Sequence, residues 1–297
     1  MNFIPPKRIC LSGGGIRAIS YIGALEVLDE YGLLNHVKEY IGVSAGAFMG
    51  FVLCLGYTLE ELRRLCFEFD FGLIRNMEAE NILDFFENFG IDNGEKLKRL
   101  LESLLRQKTL SSEITFLEFK EKLPKQPQLR CFATDLNTCQ PREFSFEKTP
   151  HVKLVDALRA TMSLTFYFTP IQDPITGHIL TDGGILHNYP MHFLDYQERL
   201  TSLGLTFSMS HAENHPITDL YDFLHQMFAC VYLPRNKKVM EEAFEHTIVL
   251  PNGDYPPWNF EASKEDRMKL SDMAAEATRD FLKKGFSRKI TRRYSVS

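Results

Sequence analysis

Several things are scarce in this chain of 297 residues. There is one tryptophan, and the 6 cysteines are scattered, none in a Cys-x-x-Cys pair. Cys131 and Cys139 are not spaced for zinc, so Cys10, Cys54, Cys66, Cys131, Cys139 and Cys230 read as reduced, mostly buried thiols, with no metal expected. No apolar run reaches the roughly 18 residues that a membrane span needs. The opening Met1-Asn2-Phe3-Ile4-Pro5-Pro6-Lys7 lacks the apolar core of a secretory signal. A cytoplasmic protein, not secreted by a signal peptide, is therefore expected. A global basic field is missing too: net charge is −5, so nothing attracts the chain to nucleic acid.

What is present is ordinary in bulk and specific in detail. Apolar residues make up 44% and charged residues 25%, as in a globular protein long enough for a substantial core. Arg8 to Ser12 reads as a buried strand. Ile16 to Tyr31 reads as a helix, with an apolar stripe at Ile19, Ile22, Leu25 and Leu28 that Gly32 ends. Lys38 to Val43 is a second strand, and the almost wholly apolar Ala45 to Leu55 is a helix buried against a sheet. Thr58-Leu59-Glu60-Glu61 has the form of a capping box opening another helix. Helices are expected around 94–107, 115–122, 152–162, 217–232 and 264–284. Leu129 to Leu136 and Arg142 to Phe146 read as paired strands, with further strands at 179–181, 203–209 and 247–250. Strands alternating with helices imply an α/β fold, a sheet covered on both faces, in one domain. The Phe-rich stretch holding Phe85, Phe86 and Phe89 admits two readings: a helix packing its Phe face inward, which the general rule for amphipathic faces favours, or a lid or surface anchor.

Two motifs sit where a strand gives way to a helix. Gly42-Val43-Ser44-Ala45-Gly46 has the nucleophile-elbow pattern, in which small residues at Gly42 and Gly46 let strand and helix approach and lift the serine hydroxyl from the sheet. It sets Ser44 at a helix N-terminus, where backbone N–H groups favour negative charge. A serine that merely caps the helix is the plainer alternative. In Gly13-Gly14-Gly15-Ile16-Arg17 the glycines leave backbone N–H groups unshielded, as an oxyanion hole requires, though glycine for sterics alone also accounts for the turn. Gly13-x-Gly15-x-x-Ala18 also fits a dinucleotide fingerprint, but the second strand ends Ile41-Gly42-Val43-Ser44 without the acid that would hold a ribose. Arg17, a cation in a first helical turn, calls for a partner, either a carbonyl near the loop or a substrate phosphate.

A serine nucleophile needs a base. None of the 9 histidines carries a distinctive local pattern. Asp182 does: it follows the apolar Ile179-Leu180 and enters Gly183-Gly184, a geometry that presents a side chain at a strand end, although an Asp also commonly just starts a turn.

With these three motifs in this order, most of the chain resembles the patatin-like phospholipase family. The resemblance implies a three-layer α/β/α sandwich with a mostly parallel central sheet. It implies a Ser44–Asp182 catalytic dyad without histidine, an oxyanion hole from Gly13, Gly14 and Gly15, and supporting motif positions Arg17, Gly42, Gly46, Gly183 and Gly184. Leu158 to Ser163 and Asn188-Tyr189-Pro190 match further family segments. Ala18 stands where the family usually has glycine, and Thr165 where it often has proline; neither removes a catalytic group. The implied activity is hydrolysis of fatty-acyl esters of phospholipids or glycerolipids, without metal or cofactor, with lipids of a membrane or droplet as partners and peripheral membrane contact. Residues 1–285 would form the hydrolase domain and 286–297 a basic C-terminal tail, either solvated or docked on anionic lipid. A non-catalytic lipid-binding protein and a His-assisted esterase using His211 or His246 are the rival readings.

Overall fold

The computed structural model describes residues 5–76, 85–208, 217–218, 220–252, 255 and 262–294. Its strands are β1 (Arg8–Leu11), β2 (Glu39–Val43), β3 (Gly90–Asp92), β4 (Gln128–Asp135), β5 (Gln140–Phe144), β6 (Phe166–Phe168), β7 (Ile171–Gln172), β8 (Ile179–Asp182), β9 (Ser202–Phe207) and β10 (Thr247–Leu250). Eight of them form one sheet in the order β10-β9-β1-β2-β4-β8-β7, with β5 also paired to β4. From β10 to β4 every pairing is parallel; β5, β7 and β8 pair antiparallel. β3 and β6 make a separate two-stranded parallel pair.

The principal helices are α1 (Tyr21–Glu30), α2 (Ala45–Cys54), α3 (Leu59–Glu68), α4 (Glu95–Gln107), α5 (Leu154–Thr161), α6 (Leu220–Glu242) and α7 (Lys264–Tyr294). Alternation along the strands separates two cores, as a period of two demands. Ile9 and Leu11 of β1, and Leu129, Cys131 and Ala133 of β4, join the large core that holds side chains of α1, α2 and α7. Cys10, Ile41, Val43 and Phe132 point to the other face, against Tyr189, Met191, Leu194 and Val239. Those two cores make the fold a three-layer α/β/α sandwich with a mostly parallel sheet. The central strands are buried on both faces, which is why they read as continuous apolar runs. α2 is buried at every position after Ala45, which its lack of polar residues already required. Four cysteines are buried and two, Cys139 and Cys230, are exposed.

Thr58 opens α3 with both halves of the expected capping box: Glu61 N–H donates to Thr58 Oγ1 and Thr58 N–H to Glu61 Oε2, at 3.1 and 2.7 Å. Other expectations need correction. The first helix is not continuous from Ile16: a 3₁₀ segment, Gly15–Ser20, precedes α1. Ile16, Ala18, Ile19 and Ser20 are all buried there, and the tighter winding serves a segment that buries side chains on more than one face. α6 does not stop near Tyr232 but continues through Pro234 to Glu242, because its second half buries Val239 and packs Met240 against the same core. α7 likewise runs past Lys284 to Tyr294. Among the described residues, the part of the Phe-rich stretch around Phe85 forms a short helix, Phe85–Asn88, and two of its phenylalanines do not turn inward: Phe86 is 87% and Phe89 58% exposed. Met209, the expected end of β9, lies outside the described residues.

Candidate active site

Strand pairing alone brings Ser44 and Asp182 together. β2 and β5 both pair with Cys131 and Phe132 of β4, so they lie on opposite edges. β5 and β8 both pair with Ala133 to Asp135, so β8 shares the edge used by β2. Val43 is opposite Phe132 and Asp182 is opposite Ala133. β2 runs parallel and β8 antiparallel to β4, so their C-terminal ends meet head to head at adjacent rungs. A Cβ on Gly183 would overlap the Phe132 carbonyl oxygen and lie 3.1 Å from Val43 Cγ1, which is how tightly the two ends converge.

Ser44 occupies φ 52°, ψ −127°, a conformation costly for any residue with a side chain. The surroundings hold it there. Its N–H donates to Thr161 Oγ1 at 2.9 Å, and that hydroxyl donates to the Phe132 carbonyl at 2.6 Å. Behind it, a Cβ on Gly46 would overlap the Leu11 carbonyl, and one on Gly42 would overlap the Ala47 backbone, so both elbow glycines are required by close approach. Ser44 caps α2 without a side-chain cap bond, which leaves its hydroxyl outside the helix and at odds with the plain capping role.

Asp182 is 5% exposed. Its Oδ1 accepts the Gly184 N–H at 2.7 Å. The Ser44 hydroxyl also acts on this carboxylate, although Oδ2 has no partner of full hydrogen-bond geometry among the described residues. Burial pushes the Asp182 carboxyl up to about 6, against the lowering effect of those two donors. Ser163 accepts the Asp182 N–H through its carbonyl at 2.9 Å, and Thr134 Oγ1 donates to the Asp182 carbonyl at 2.9 Å. Both ends of the peptide carrying the carboxylate are thereby fixed.

The glycine loop faces the same cavity. Gly13 N–H donates to the Asn188 carbonyl at 3.1 Å, and Asn188 Nδ2 donates to the Gly13 carbonyl at 2.9 Å. Gly13 is thus an anchored link rather than a free donor, a refinement of the expected three-glycine oxyanion hole. The Gly14 and Gly15 N–H groups have no acceptor among the described residues, and Gly15 takes φ 55°. Arg17 finds its partner in a carbonyl: Nε donates to Tyr255 O at 2.6 Å. Burial pushes its guanidinium down to about 10, still cationic at neutral pH.

Ser44, Asp182, Gly13, Gly14, Gly15 and Arg17 all line one cavity of about 730 Å³ whose remaining wall is largely apolar. No histidine lines it among the described residues. His246 sits in a 3₁₀ turn before β10, and His211 lies outside the described residues. His187 and His192 stack at 3.9 Å between ring centroids, outside the cavity lining. Burial, with His192 and Arg235 nearby, pushes His187 down to about 4, so it is neutral at physiological pH.

Thr161 and Asn188 fall in segments that matched the family pattern, but that match assigned them no contact; the structure makes them positioning residues. For Thr161 the contact depends on α5 packing beside β4. Asn188 follows the Asp182 turn by six positions, so a contact with the Gly13 loop becomes visible only when β1 and β8 are placed. Asn188→Ala is expected to lower kcat about 10²-fold through misplacement of the donor loop, with KM nearly unchanged. Equal loss in kcat and thermal stability, or a rise in KM alone, contradicts this role.

A family model described as patatin-like phospholipase matches residues 9–195. An uncharacterized protein of Acanthamoeba polyphaga mimivirus is 30% identical over 227 residues, 73% of each chain. A probable lipid hydrolase of Invertebrate iridescent virus 6 is 30% identical over 185 residues, 62% of each chain. Among solved structures, VipD from Legionella pneumophila superposes with a TM-score of 0.64 at 17% identity, covering 95% of this chain and 67% of VipD. The type III effector ExoU of Pseudomonas aeruginosa gives a TM-score of 0.56 at 16% identity, covering 95% of this chain and 53% of ExoU. At such identities these two structures speak for the fold.

Proposed function

The chain belongs to the patatin-like phospholipase family, and from that premise we propose that it is a lipid acyl hydrolase with Ser44 as nucleophile and Asp182 as base. The carrying observation is the convergence of the β2 and β8 ends in a cavity with an apolar wall and two backbone donors, those of Gly14 and Gly15, that have no acceptor among the described residues. The substrates are fatty-acyl esters of phospholipids or glycerolipids, whose chains match that wall. We assign residues 1–285 to the hydrolase domain and 286–297 to a basic C-terminal segment, which continues α7 as far as Tyr294.

Ser44 Oγ attacks the ester carbonyl and passes its proton to Asp182. Gly14 and Gly15 N–H groups take the developing oxyanion, and the N-terminus of α2 adds favourable potential. Collapse of the tetrahedral adduct breaks the ester C–O bond, and the Asp182 proton goes to the departing alcohol. The acyl-serine is then attacked by a water that gives its proton to Asp182. A second collapse releases the fatty acid and returns the proton to Ser44. An Asp held near 6 is a stronger base than an ordinary one and is still mostly ionised at neutral pH.

The test is fatty-acid release from mixed phospholipid vesicles, with covalent labelling by a long-chain alkyl fluorophosphonate. Release, together with a label on the Ser44 peptide, is the expected result. Vesicle binding without release or label would instead favour a lipid-binding module.

A further inference from the structure

We infer that the mouth of this cavity is a bilayer-docking face, built from three separate segments and followed on α6 by cations that suit an anionic phospholipid surface. The inference rests on the lipid-hydrolase reading and says where such an enzyme meets its substrate. The first segment carries Phe86 and Phe89, the second Leu164 and Phe166, and the third is the outer side of α6, with Phe223, Met227 and Val231 exposed at 52%, 43% and 41%.

These residues are one surface and not scattered exceptions. Phe86, Leu164 and Phe166 line the cavity and yet are exposed, so they stand at its opening. Ring contacts tie the segments together: Phe85 to Phe86 at 5.4 Å, Phe85 to Phe166 at 6.3 Å, and Phe166 to Phe228 at 6.2 Å. On α6, Phe228 and Tyr232 line the cavity, and Met227 and Val231 immediately precede them. Phe223, Met227 and Val231 recur every four residues, so they form one stripe along the helix beside the opening. An exposed apolar patch of this kind, continuous with a pocket, marks an interaction site.

The backbone is held so as to maintain it. Phe89 and Phe166 take φ of 55° and 66°, a region that bulky residues normally avoid. Strain of that kind persists where the surroundings over-determine it, and it gathers at functional sites. The base of the first segment is clamped: buried Asp92 accepts the N–H groups of Asn76 and Gly94 at 2.5 and 2.7 Å, and Arg159 donates to the Asn93 carbonyl at 3.1 Å.

Why a bilayer and not a second protein follows from the apolar wall of the cavity and the acyl chain proposed to enter it. An acyl chain that crosses water on its way into an apolar pocket exposes every methylene in turn. A rim seated in the interface removes that exposure, since apolar surface then continues from the acyl layer to Ser44. Along the same line of α6, beyond Val231, come exposed Arg235 and Lys238. An apolar stripe leading into cations is the pattern of a helix lying in an anionic lipid interface.

Partitioning onto phosphatidylcholine vesicles, with and without phosphatidylserine, tests this in the Ser44→Ala background, where turnover plays no part. Phe89→Glu combined with Met227→Glu, neither of which lines the cavity, is expected to weaken partitioning at least tenfold. Tyr196→Glu, exposed on the helix that precedes β9 at the opposite end of the sheet, is expected to leave it unchanged. With Ser44 restored, the double variant should lose vesicle hydrolysis at least tenfold and keep turnover of a short-chain water-soluble ester. Unchanged partitioning overturns the inference, as does a concentration-dependent dimer of the parent that the double substitution abolishes. If the parent releases no fatty acid but its partitioning still depends on this face, the hydrolase reading fails and the docking face stands.

Discussion

Ser44→Ala should abolish ester hydrolysis, with kcat falling by about 10⁴-fold or more, the range seen when a covalent nucleophile is removed from a coupled site. Neither neighbouring threonine hydroxyl stands in for it: Thr161 Oγ1 is committed to Ser44 N–H and the Phe132 carbonyl, and Thr165 Oγ1 to Thr181 Oγ1 at 2.7 Å. The fold should not suffer, because alanine at φ 52° bears the same backbone cost as serine. Ser44→Gly makes the complementary point. It removes both the hydroxyl and the backbone penalty, so it should be as inactive as the alanine variant yet more stable, by about 1 kcal/mol on the usual scale of such strain. Initial rates of fatty-acid release and thermal melts check the pair. Residual turnover in Ser44→Ala above about a hundredth of the parent would assign the chemistry to another group.

Asp182→Asn is expected to cost about 10³ to 10⁴-fold in kcat, because the amide cannot accept the serine proton. The pH behaviour is equally specific. Asp182 must be ionised to act as base, so the rate should rise tenfold per pH unit from the acid side and level off above about 6. Stability moves the opposite way. The folded carboxyl titrates near 6 and the unfolded one near 3.8, so between those values the native state holds more protons and its stability falls as pH rises. The ionised buried carboxylate costs about 3 kcal/mol above pH 6, from roughly two pKa units, and nothing below both values. Asp182→Asn should therefore melt higher than the parent at pH 8, with the gap closing towards pH 4. An acid limb at the ordinary carboxylate position, with no such gap, would mean that water reaches the carboxylate freely.

Some of this was legible one residue at a time. The strands β1 and β2, the apolar α2 and the Thr58 capping box depend on neighbours within a few positions, and the local order of residues dictated them. Ser44 and Asp182 were visible because a strand ending in a tight glycine turn is a local pattern. The first helix, the length of α6 and the inward packing favoured for the Phe-rich stretch all turned on contacts that a local pattern does not show. Periodicity says which side of a helix is apolar, but not whether protein or another apolar phase covers it. It also cannot say that burial beyond Pro234 will carry a helix through a proline.

The sequence by itself determined the alternation of strands and helices, the burial of both sheet faces and the local turns that carry Ser44 and Asp182, the two side chains we propose to react. Tertiary structure decided everything that depends on partners distant along the chain. It brought β8 onto the β4 edge vacated by β2, tied Gly13 to Asn188, left the Gly14 and Gly15 N–H groups without an acceptor among the described residues, and sealed Asp182 from water. The physical reason is that backbone propensities are local, whereas desolvation and hydrogen-bond satisfaction are properties of the packed whole. The same carboxylate that titrates as an ordinary acid in an open chain becomes a base near neutrality only where the β2 and β8 ends close over it.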